Sequence, residues 1–213
     1  YVSDAASSNS ASSENPGNIG VPHVDGVKNI VFVGRIAPNK KQEDLIALLY
    51  TYKKMYPGEK VRLILVGSCN GMENYDKRLK DYVKLLELED DVIFTGQVSF
   101  ASILAYYSVA DVFACMSEHE GFCVPLIEAM CFNKPVLAAD YAAVAGTLGG
   151  SGILLEDKDM TRASFYMHEL LNDAELAKSV VAGQNERLKD FSYESVSTLF
   201  MERLNRFIRG EAL

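Results

Sequence analysis

The sequence lacks features that membrane-spanning, nucleic-acid-binding and zinc-binding proteins require. No stretch reaches the roughly 18 apolar residues of a membrane-spanning helix, and no apolar signal-peptide core follows a basic start. The formal net charge of −8 argues against a broad nucleic-acid surface, so we expect no nucleic-acid partner. With only three histidines and no Cys-x-x-Cys pair, we also expect no structural zinc site.

The four cysteines are scattered at positions 69, 115, 123 and 131. Cys115 lies in an apolar run and Cys131 in an apolar helical pattern, so we expect both to be reduced core residues. That usage predicts a cytoplasmic protein. Cys123 has no identifiable base partner, and we therefore do not assign it as a nucleophile.

The first part of the chain lacks the features of a folded segment. Residues 1–27 contain no Lys or Arg, and six of the first thirteen residues are Ser. We expect residues 1–25 to be a flexible linker or a tag remnant. Residues 26–213 are expected to form one domain, because apolar residues make up 48% of the sequence and the length suits a single core.

Short apolar runs alternate with helical periods along this domain, which predicts a doubly wound parallel α/β sheet of about six strands followed by C-terminal helices. The predicted strands are 29–33, 61–66, 91–95, 111–116, 135–139 and 152–155. The predicted helices are 41–56, 73–88, 99–109, 125–132, 142–148, 160–172, 173–190 and 192–209. The last helix has an apolar face, expected to pack on the local core, on another copy or on a further domain.

Ligands of open α/β sheets bind beyond the carboxyl ends of the strands. Four polar or glycine-bearing segments fall at those ends: Gly34-Arg35, Gly67-Ser68, Gly96-Gln97 and Ser117 to Gly121. This pattern predicts a ligand site and does not identify the ligand.

The first of these segments carries two cations. Arg35 and Lys40 lie five residues apart and are candidates for binding one phosphate, Arg as a fork and Lys as a point charge. The alternative is a pair of solvated surface cations. The loop is not a Gly-x-x-x-x-Gly-Lys phosphate loop, because the second glycine is missing.

The segment after the fourth strand predicts an anion site. Pro125 suits a first helical turn, so the amides of 122–124 are expected at a helix start, where the helix dipole favours anions. Glu120 and Glu128 flank that start and suit hydroxyl groups of a ribose and a sugar. The alternative is one capping and one solvated carboxylate. His119 is either a surface residue or a donor near the reacting sugar.

The stretch from Glu120 to Glu128, with seven residues between two Glu, closely resembles the signature of GT-B fold retaining glycosyltransferases, specifically glycosyltransferase family four. The loop from Gly34 to Lys40 and the strands that end at Gly67 and Gly96 agree in order with that family. The resemblance implies the C-terminal, Rossmann-like half of a two-domain enzyme. A missing N-terminal domain would bind most of a glycan or lipid-linked acceptor.

The resemblance also implies roles for individual residues. Arg35, Lys40 and Glu120 are the expected catalytic residues: the cations stabilise the leaving diphosphate, and Glu120 contacts the transferred sugar. Glu128 is expected to bind the ribose. No metal or cofactor is expected, since the nucleoside diphosphate sugar is a substrate. The full set of expected donor-binding residues is Gly34, Arg35, Lys40, Gly67, Ser68, Gly96, Gln97, His119, Glu120, Gly121, Phe122, Cys123, Val124 and Glu128.

This sequence departs from the family pattern at Lys41 and Cys123, two positions where glycine is common. Two other functions remain open: a non-catalytic nucleotide-sugar-binding module, and half of a sugar-nucleotide epimerase or phosphorylase. The full enzyme is also expected to associate peripherally with the inner face of the membrane. The donor, GDP-mannose, UDP-glucose or a related sugar nucleotide, is left open.

Overall fold

A computed structural model describes residues 26–211. The prediction for residues 1–25 lies outside the described residues. Six parallel strands form one sheet in the order β3-β2-β1-β4-β5-β6, which confirms the predicted doubly wound fold. The strands are β1 Lys28–Val33, β2 Val61–Val66, β3 Val92–Gly96, β4 Val112–Cys115, β5 Val136–Ala139 and β6 Ile153–Leu155.

Helices cover both faces of the sheet. They are α1 Gln42–Met55, α2 Glu73–Leu85, α3 Phe100–Val109, α4 Val124–Cys131, α5 Val144–Leu148, α6 Met160–Asn172, α7 Ala174–Leu188 and α8 Tyr193–Ile208. Single 3-10 turns at Pro38–Lys40 and Lys189–Phe191 precede α1 and α8. Within residues 26–211, no helix is both long and apolar enough to cross a membrane.

Alternate residues of β1 face two separate cores. Ile30 and Phe32 pack with α1, α2 and α6, whereas Val31 and Val33 pack with α3, α4 and α5. Because side chains alternate between the faces of a strand, a strand buried on both sides reads as the continuous apolar run seen in the sequence. The two cores hold the sheet rigid and thereby fix the positions of the loops at its carboxyl edge.

One helix prediction requires correction, and for the last helix one of the three expected environments is excluded. The helix predicted for 73–88 ends at Leu85, since Glu87 adopts a left-handed backbone conformation with φ of 56° that no helix continues. The last helix does not fold onto the local core. The apolar side chains of α8 are half to two-thirds exposed at Leu199, Phe200 and Phe207, and α8 has no buried residue.

Helix α7 is fastened to earlier parts of the chain by two polar side chains. Gln184 is fully buried; its amide oxygen accepts a hydrogen bond from the Val136 N–H at 2.9 Å, and its amide nitrogen donates to the Lys134 carbonyl at 2.8 Å. Arg187 donates from Nε to the Thr147 carbonyl at 3.0 Å and from Nη2 to the Gly146 carbonyl at 2.6 Å. These contacts satisfy backbone groups at the start of β5 and the end of α5.

Candidate functional site

Backbone contacts bring the predicted segments together at the carboxyl edge of the sheet. The Ile36 N–H donates to the Ser68 carbonyl at 2.9 Å, which joins the loop after β1 to the loop after β2. On its other side, the Asn39 carbonyl accepts from the Glu118 N–H at 2.9 Å. The 34–41 loop therefore lies between the loops that follow β2 and β4.

Gly67 permits the close approach of β1 and β2. A Cβ atom at this position would lie 2.0 Å from the Gly34 carbonyl oxygen, so no other residue fits without a backbone shift. Gly67 also forms an isolated bridge with Gly96. Side chains that follow these glycines also approach each other, since Gln97 Oε1 lies 3.5 Å from Asn70 Nδ2. The strand-end glycines thus bring the backbones of three loops together.

Lys40 and Glu120 form an ion pair across the two central loops. Lys40 Nζ lies 2.6 Å from Glu120 Oε1, and the side chains are 22% and 9% exposed respectively. A charged hydrogen bond with so little exposure is less screened than a surface pair. The residues are eighty positions apart in the chain, and their contact is the shorter of two ion pairs, Lys40–Glu120 and Lys41–Glu118, that join these loops.

Arg35 has a different partner. Its Nη2 donates to the Asn70 carbonyl at 2.8 Å, and the side chain is solvent-exposed. Within residues 26–211, Arg35 and Lys40 therefore share no hydrogen-bond acceptor. Their joint binding of one phosphate stays a prediction.

Helix α4 begins at the predicted anion site. Val124 is its first residue, Pro125 lies in the first turn, and the residue before it, Cys123, has φ 60° and ψ 62° and provides no side-chain cap. Gly121 and Phe122 are exposed just before the helix. The start of α4 is thus an accessible helix N-terminus with the geometry that favours an anion.

Glu128 is held by a residue that the sequence did not single out. The Tyr107 hydroxyl donates to Glu128 Oε2 at 2.7 Å. Burial raises the pKa of Tyr107, as does the hydrogen bond to Glu128, so the phenol stays a donor. In the sequence Tyr107 is one more large residue of an apolar helix, and nothing there identifies its partner.

A second group of charged side chains, centred on Glu118, links the two loops by ion pairs. Glu118 lies 3.3 Å from Lys41 Nζ and 2.9 Å from Lys158 Nζ, and Lys158 also contacts Asp44 at 2.6 Å. The hydrogen bond from Lys158, followed by that from Lys41, lowers the pKa of Glu118. His119 is exposed, and its carbonyl accepts a hydrogen bond from Asn39 at 3.3 Å. A donor role for the His119 side chain stays a prediction.

Two cysteines meet beside Glu120. Cys115 Sγ lies 4.0 Å from Cys123 Sγ and 3.3 Å from Ser117 Oγ. The hydrogen bond with Cys123 lowers the pKa of Cys115, burial opposes it, and Ser117 adds to the lowering. The pKa of Cys123 is raised by its link to Cys115 and by burial. Cys115 is a core residue as predicted, whereas the prediction for Cys131 is wrong, since Cys131 is exposed.

A surface cavity lies elsewhere on the domain. Its volume is about 510 Å³, and Asp111, Asn133 and Pro135 at the amino ends of β4 and β5 line it together with α6 and α7. Open parallel sheets bind their ligands at the carboxyl edge, where helix N-termini and strand-end glycines lie. We therefore take Lys40, Glu120 and the start of α4 as the candidate functional site.

The fold and the candidate site together define a known class of protein. A parallel sheet in which a cationic loop after β1 faces a Glu-x7-Glu helix is the arrangement of a GT-B half domain. A model of the family described as glycosyl transferases group 1 matches residues 20–187, so the chain belongs to that family. The matched range contains both loops and all six strands.

Similarity to curated proteins is spread over the same region. The chain is 28% identical over 196 residues to the D-inositol 3-phosphate glycosyltransferase of Kineococcus radiotolerans, covering 86% of this chain and 45% of that protein. It is 35% identical over 116 residues to the GDP-mannose-dependent alpha-mannosyltransferase of Mycolicibacterium smegmatis, covering 54% of this chain and 26% of that protein. The chain spans less than half the length of these relatives.

Solved structures confirm the fold. Anabaena HepE in complex with UDP and glucose matches with a TM-score of 0.72 and 25% identity, over 84% of this chain and 48% of that one. The C-terminal domain of the glycosyl transferase group 1 protein LpcC from Francisella tularensis matches with a TM-score of 0.65 and 24% identity. That match covers 76% of this chain and 84% of the LpcC domain, so the two have similar extents.

Proposed function

We propose that this chain is the donor-binding domain of a retaining glycosyltransferase, which transfers a hexose-type sugar from a nucleoside diphosphate sugar to a glycan or lipid-linked acceptor. The observation that carries the proposal is the Lys40–Glu120 pair beside the N-terminus of α4. It combines a cation, a carboxylate and a helix start at the carboxyl edge of a doubly wound sheet.

The chemistry assigns each group a partner on the donor. The diphosphate lies against the start of α4 and the cations Lys40 and Arg35, which neutralise the charge that develops as the diphosphate leaves. Glu128, oriented by Tyr107, accepts hydrogen bonds from the ribose hydroxyls. Glu120 accepts them from the transferred sugar. No metal or cofactor is required in this scheme, because side chains and the helix N-terminus supply the positive potential.

The remaining donor contacts come from backbone and small side chains. Gly34, Gly67 and Gly96 let the nucleotide approach the strand ends, Ser68 and Gln97 offer polar side chains there, and the amides of 121–124 face sugar and phosphate. His119 stays a candidate donor to the sugar. These assignments rest on the positions of the residues at one edge of the sheet.

The acceptor site belongs, in this proposal, to a second domain N-terminal to residues 26–213. The chain covers 45% of the Kineococcus relative and 48% of HepE, which supports a partner domain of similar size. Alignment of an acceptor can supply roughly 7–11 kcal/mol of a reaction barrier. We therefore expect the chain alone to bind donor and to transfer it poorly. The proposed location of the whole enzyme is the cytoplasm, peripherally at the inner membrane face.

A binding panel with a transfer assay tests the proposal. Calorimetry of the chain with the four ligands UDP, GDP, UDP-glucose and GDP-mannose should show binding to nucleotides of one base. Parallel titrations with uridine and guanosine should show that the bare diphosphate binds more tightly than the nucleoside. Both bases are included because HepE was solved with UDP, and the Mycolicibacterium relative is named for GDP-mannose. Absence of binding to all four would refute the proposal, and turnover equal to that of the full-length protein would refute the domain assignment.

A further inference from the structure

Three potential metal ligands converge at the edge of the proposed donor site. The thiols of Cys115 and Cys123 and a carboxylate oxygen of Glu120 all lie within 4.8 Å of one another. The two sulfur atoms are 4.0 Å apart. Zinc–sulfur bonds of about 2.3 Å at a tetrahedral angle hold two thiolates about 3.8 Å apart. The sulfur atoms therefore need to move very little to share one ion.

The backbone holds both cysteines in this position. Cys115 is the last residue of β4, between β1 and β5 in the sheet, and it is 1% exposed. Cys123 has a left-handed backbone at the start of α4, and it is 6% exposed.

The charges around the three ligands also suit a cation. Two thiolates and one carboxylate carry three negative charges, and a divalent ion together with Lys40 supplies three positive charges. Lys40 Nζ lies 2.6 Å from Glu120 Oε1, so one of these positive charges already contacts a ligand of the cluster. Thiolate ligands select soft cations such as Zn²⁺ over Mg²⁺ or Ca²⁺. Three protein ligands leave the fourth tetrahedral position open.

We propose that Cys115, Cys123 and Glu120 bind a soft divalent cation of the Zn²⁺ type, and that the bound ion blocks the nucleotide-sugar site. The blocking follows because the ion occupies the carboxylate that is assigned to the sugar, at the start of the helix assigned to the phosphates. Only this second part rests on the proposed function. The ion is an inhibitor here and takes no part in transfer.

Metal titration tests the site without any nucleotide. The full chain, kept reduced by a phosphine reductant, is titrated with Cd²⁺ by thiolate-to-metal absorption and with Zn²⁺ by calorimetry. One ion should bind per chain. Loss of an outer contact to a metal ligand costs about 10–100-fold in affinity, so Cys115→Ser and Cys123→Ser should each lose about 100-fold or more. Glu120→Gln should lose less and keep the cadmium–thiolate absorption.

The other two cysteines provide matched controls. Cys69→Ser and Cys131→Ser should titrate like the wild type, because neither residue belongs to the cluster. Cys115 is fully buried, so Cys115→Ala is prepared as well, and thermal melting verifies that each variant is folded. Wild-type-like binding by a folded Cys115→Ala and by Cys123→Ser would overturn the site, as would loss of binding in Cys131→Ser.

Nucleotide affinity with and without one equivalent of Zn²⁺ tests the inhibition. In the wild type the ion should weaken binding of the sugar nucleotide, UDP-glucose or GDP-mannose, about tenfold or more, because it takes the Glu120 carboxylate that is assigned to the sugar. In Cys115→Ala the ratio of the two affinities should be close to one, and any departure from one in this variant measures the Zn²⁺ held by the nucleotide. An equal ratio in both proteins would overturn the inhibition. If no nucleotide binds even without metal, the donor function fails while the titration still decides the metal site.

Discussion

The two loops that form the candidate site are held in different ways. The 34–41 loop is fixed largely through its backbone, with Gly34 and Ile36 donating to the carbonyls of Val66 and Ser68 at 2.9 Å. The 117–123 loop is fixed largely through side chains. Glu118 pairs with two lysines, and the Thr147 hydroxyl donates to the Phe122 carbonyl. We therefore expect the first loop to be sensitive to steric changes and the second to changes of charge.

The largest effect is expected at Gly67. In Gly67→Ala the added Cβ would meet the Gly34 carbonyl oxygen at 2.0 Å, so the backbone of the first loop must move. We expect the free energy of unfolding to fall by about 3 kcal/mol. Urea denaturation measures this. Gly121→Ala in the second loop is the control, because an added Cβ there has no atom within 4 Å, and its change should stay within about 0.5 kcal/mol. Equal losses of unfolding free energy in the two variants would contradict the proposed difference in steric sensitivity between the loops.

The next largest effect concerns nucleotide affinity. Lys40→Ala should weaken UDP or GDP binding by tenfold or more, since a charge-assisted hydrogen bond contributes about 1.5–3 kcal/mol. It also leaves Glu120, whose side chain is 9% exposed, facing the phosphate without its cation. Arg35→Ala should lose less, because Arg35 is exposed and its guanidinium donates to the Asn70 carbonyl at 2.8 Å.

Calorimetry with diphosphate and with nucleoside checks the Lys40 prediction, with the exposed Lys84→Ala on α2 as the control. Nucleoside affinity should not change in any of the three variants. The double variant Lys40→Ala with Glu120→Gln should recover part of the lost diphosphate affinity. If it binds no better than Lys40→Ala, the carboxylate does not act on the phosphate.

A smaller effect separates the two carboxylates of the Glu-x7-Glu segment, Glu120 in the loop and Glu128 in α4. Glu128→Ala should weaken binding of the bare diphosphate about tenfold, because its proposed partners are ribose hydroxyls. Glu120→Ala should leave the bare diphosphate as tightly bound and lower sugar-donor affinity or turnover. Tyr107→Phe removes the 2.7 Å hydrogen bond to Glu128 and should reproduce a fraction of the Glu128→Ala loss. Identical behaviour of the two Glu variants on both ligands would reject the division of roles.

The smallest effects are expected on stability, from relieving backbone strain at one residue in each loop. Lys41 and Cys123 both have left-handed backbones, with φ of 53° and 60°, and these are the positions where the resembled family commonly has glycine. A left-handed backbone at a non-glycine residue destabilises the fold by about 1–2 kcal/mol. Replacement by glycine removes this strain but costs about 0.5–1 kcal/mol, because glycine has more conformational entropy in the unfolded state. Lys41→Gly should therefore stabilise by about 0.5 kcal/mol. Cys123→Gly loses a buried thiol and should not stabilise. Equal thermal shifts would contradict this.

Local patterns predicted the fold well because each element carries its own signal. The continuous apolar runs of β1 and β2, each ending at a glycine, identified buried strands, and Pro125 placed the start of α4 almost at its observed position. The error at the end of α2 arose because Glu87 reverses the chain without the glycine that usually marks such a reversal.

Contacts within the site were less predictable, because they join distant residues. The pairing of Lys40 with Glu120 crosses eighty positions, and the Tyr107 hydroxyl reaches Glu128 only through the packing of α3 on α4. The meeting of Cys115 with Cys123 depends on a left-handed residue, which the sequence alone does not reveal. Sequence reasoning identified the residue types and the edge of the sheet, and the fold supplied the partners.

Gln184 has a consequence for the order in which the chain is made. Its side chain satisfies the Val136 N–H and the Lys134 carbonyl, two groups that leave the ribosome forty-eight or more residues earlier. Until α7 emerges, the entrance to β5 lacks these hydrogen bonds and stays a weak point of the nascent sheet. We expect β1, β2 and β3 to gain protection from hydrogen exchange before β5 during synthesis.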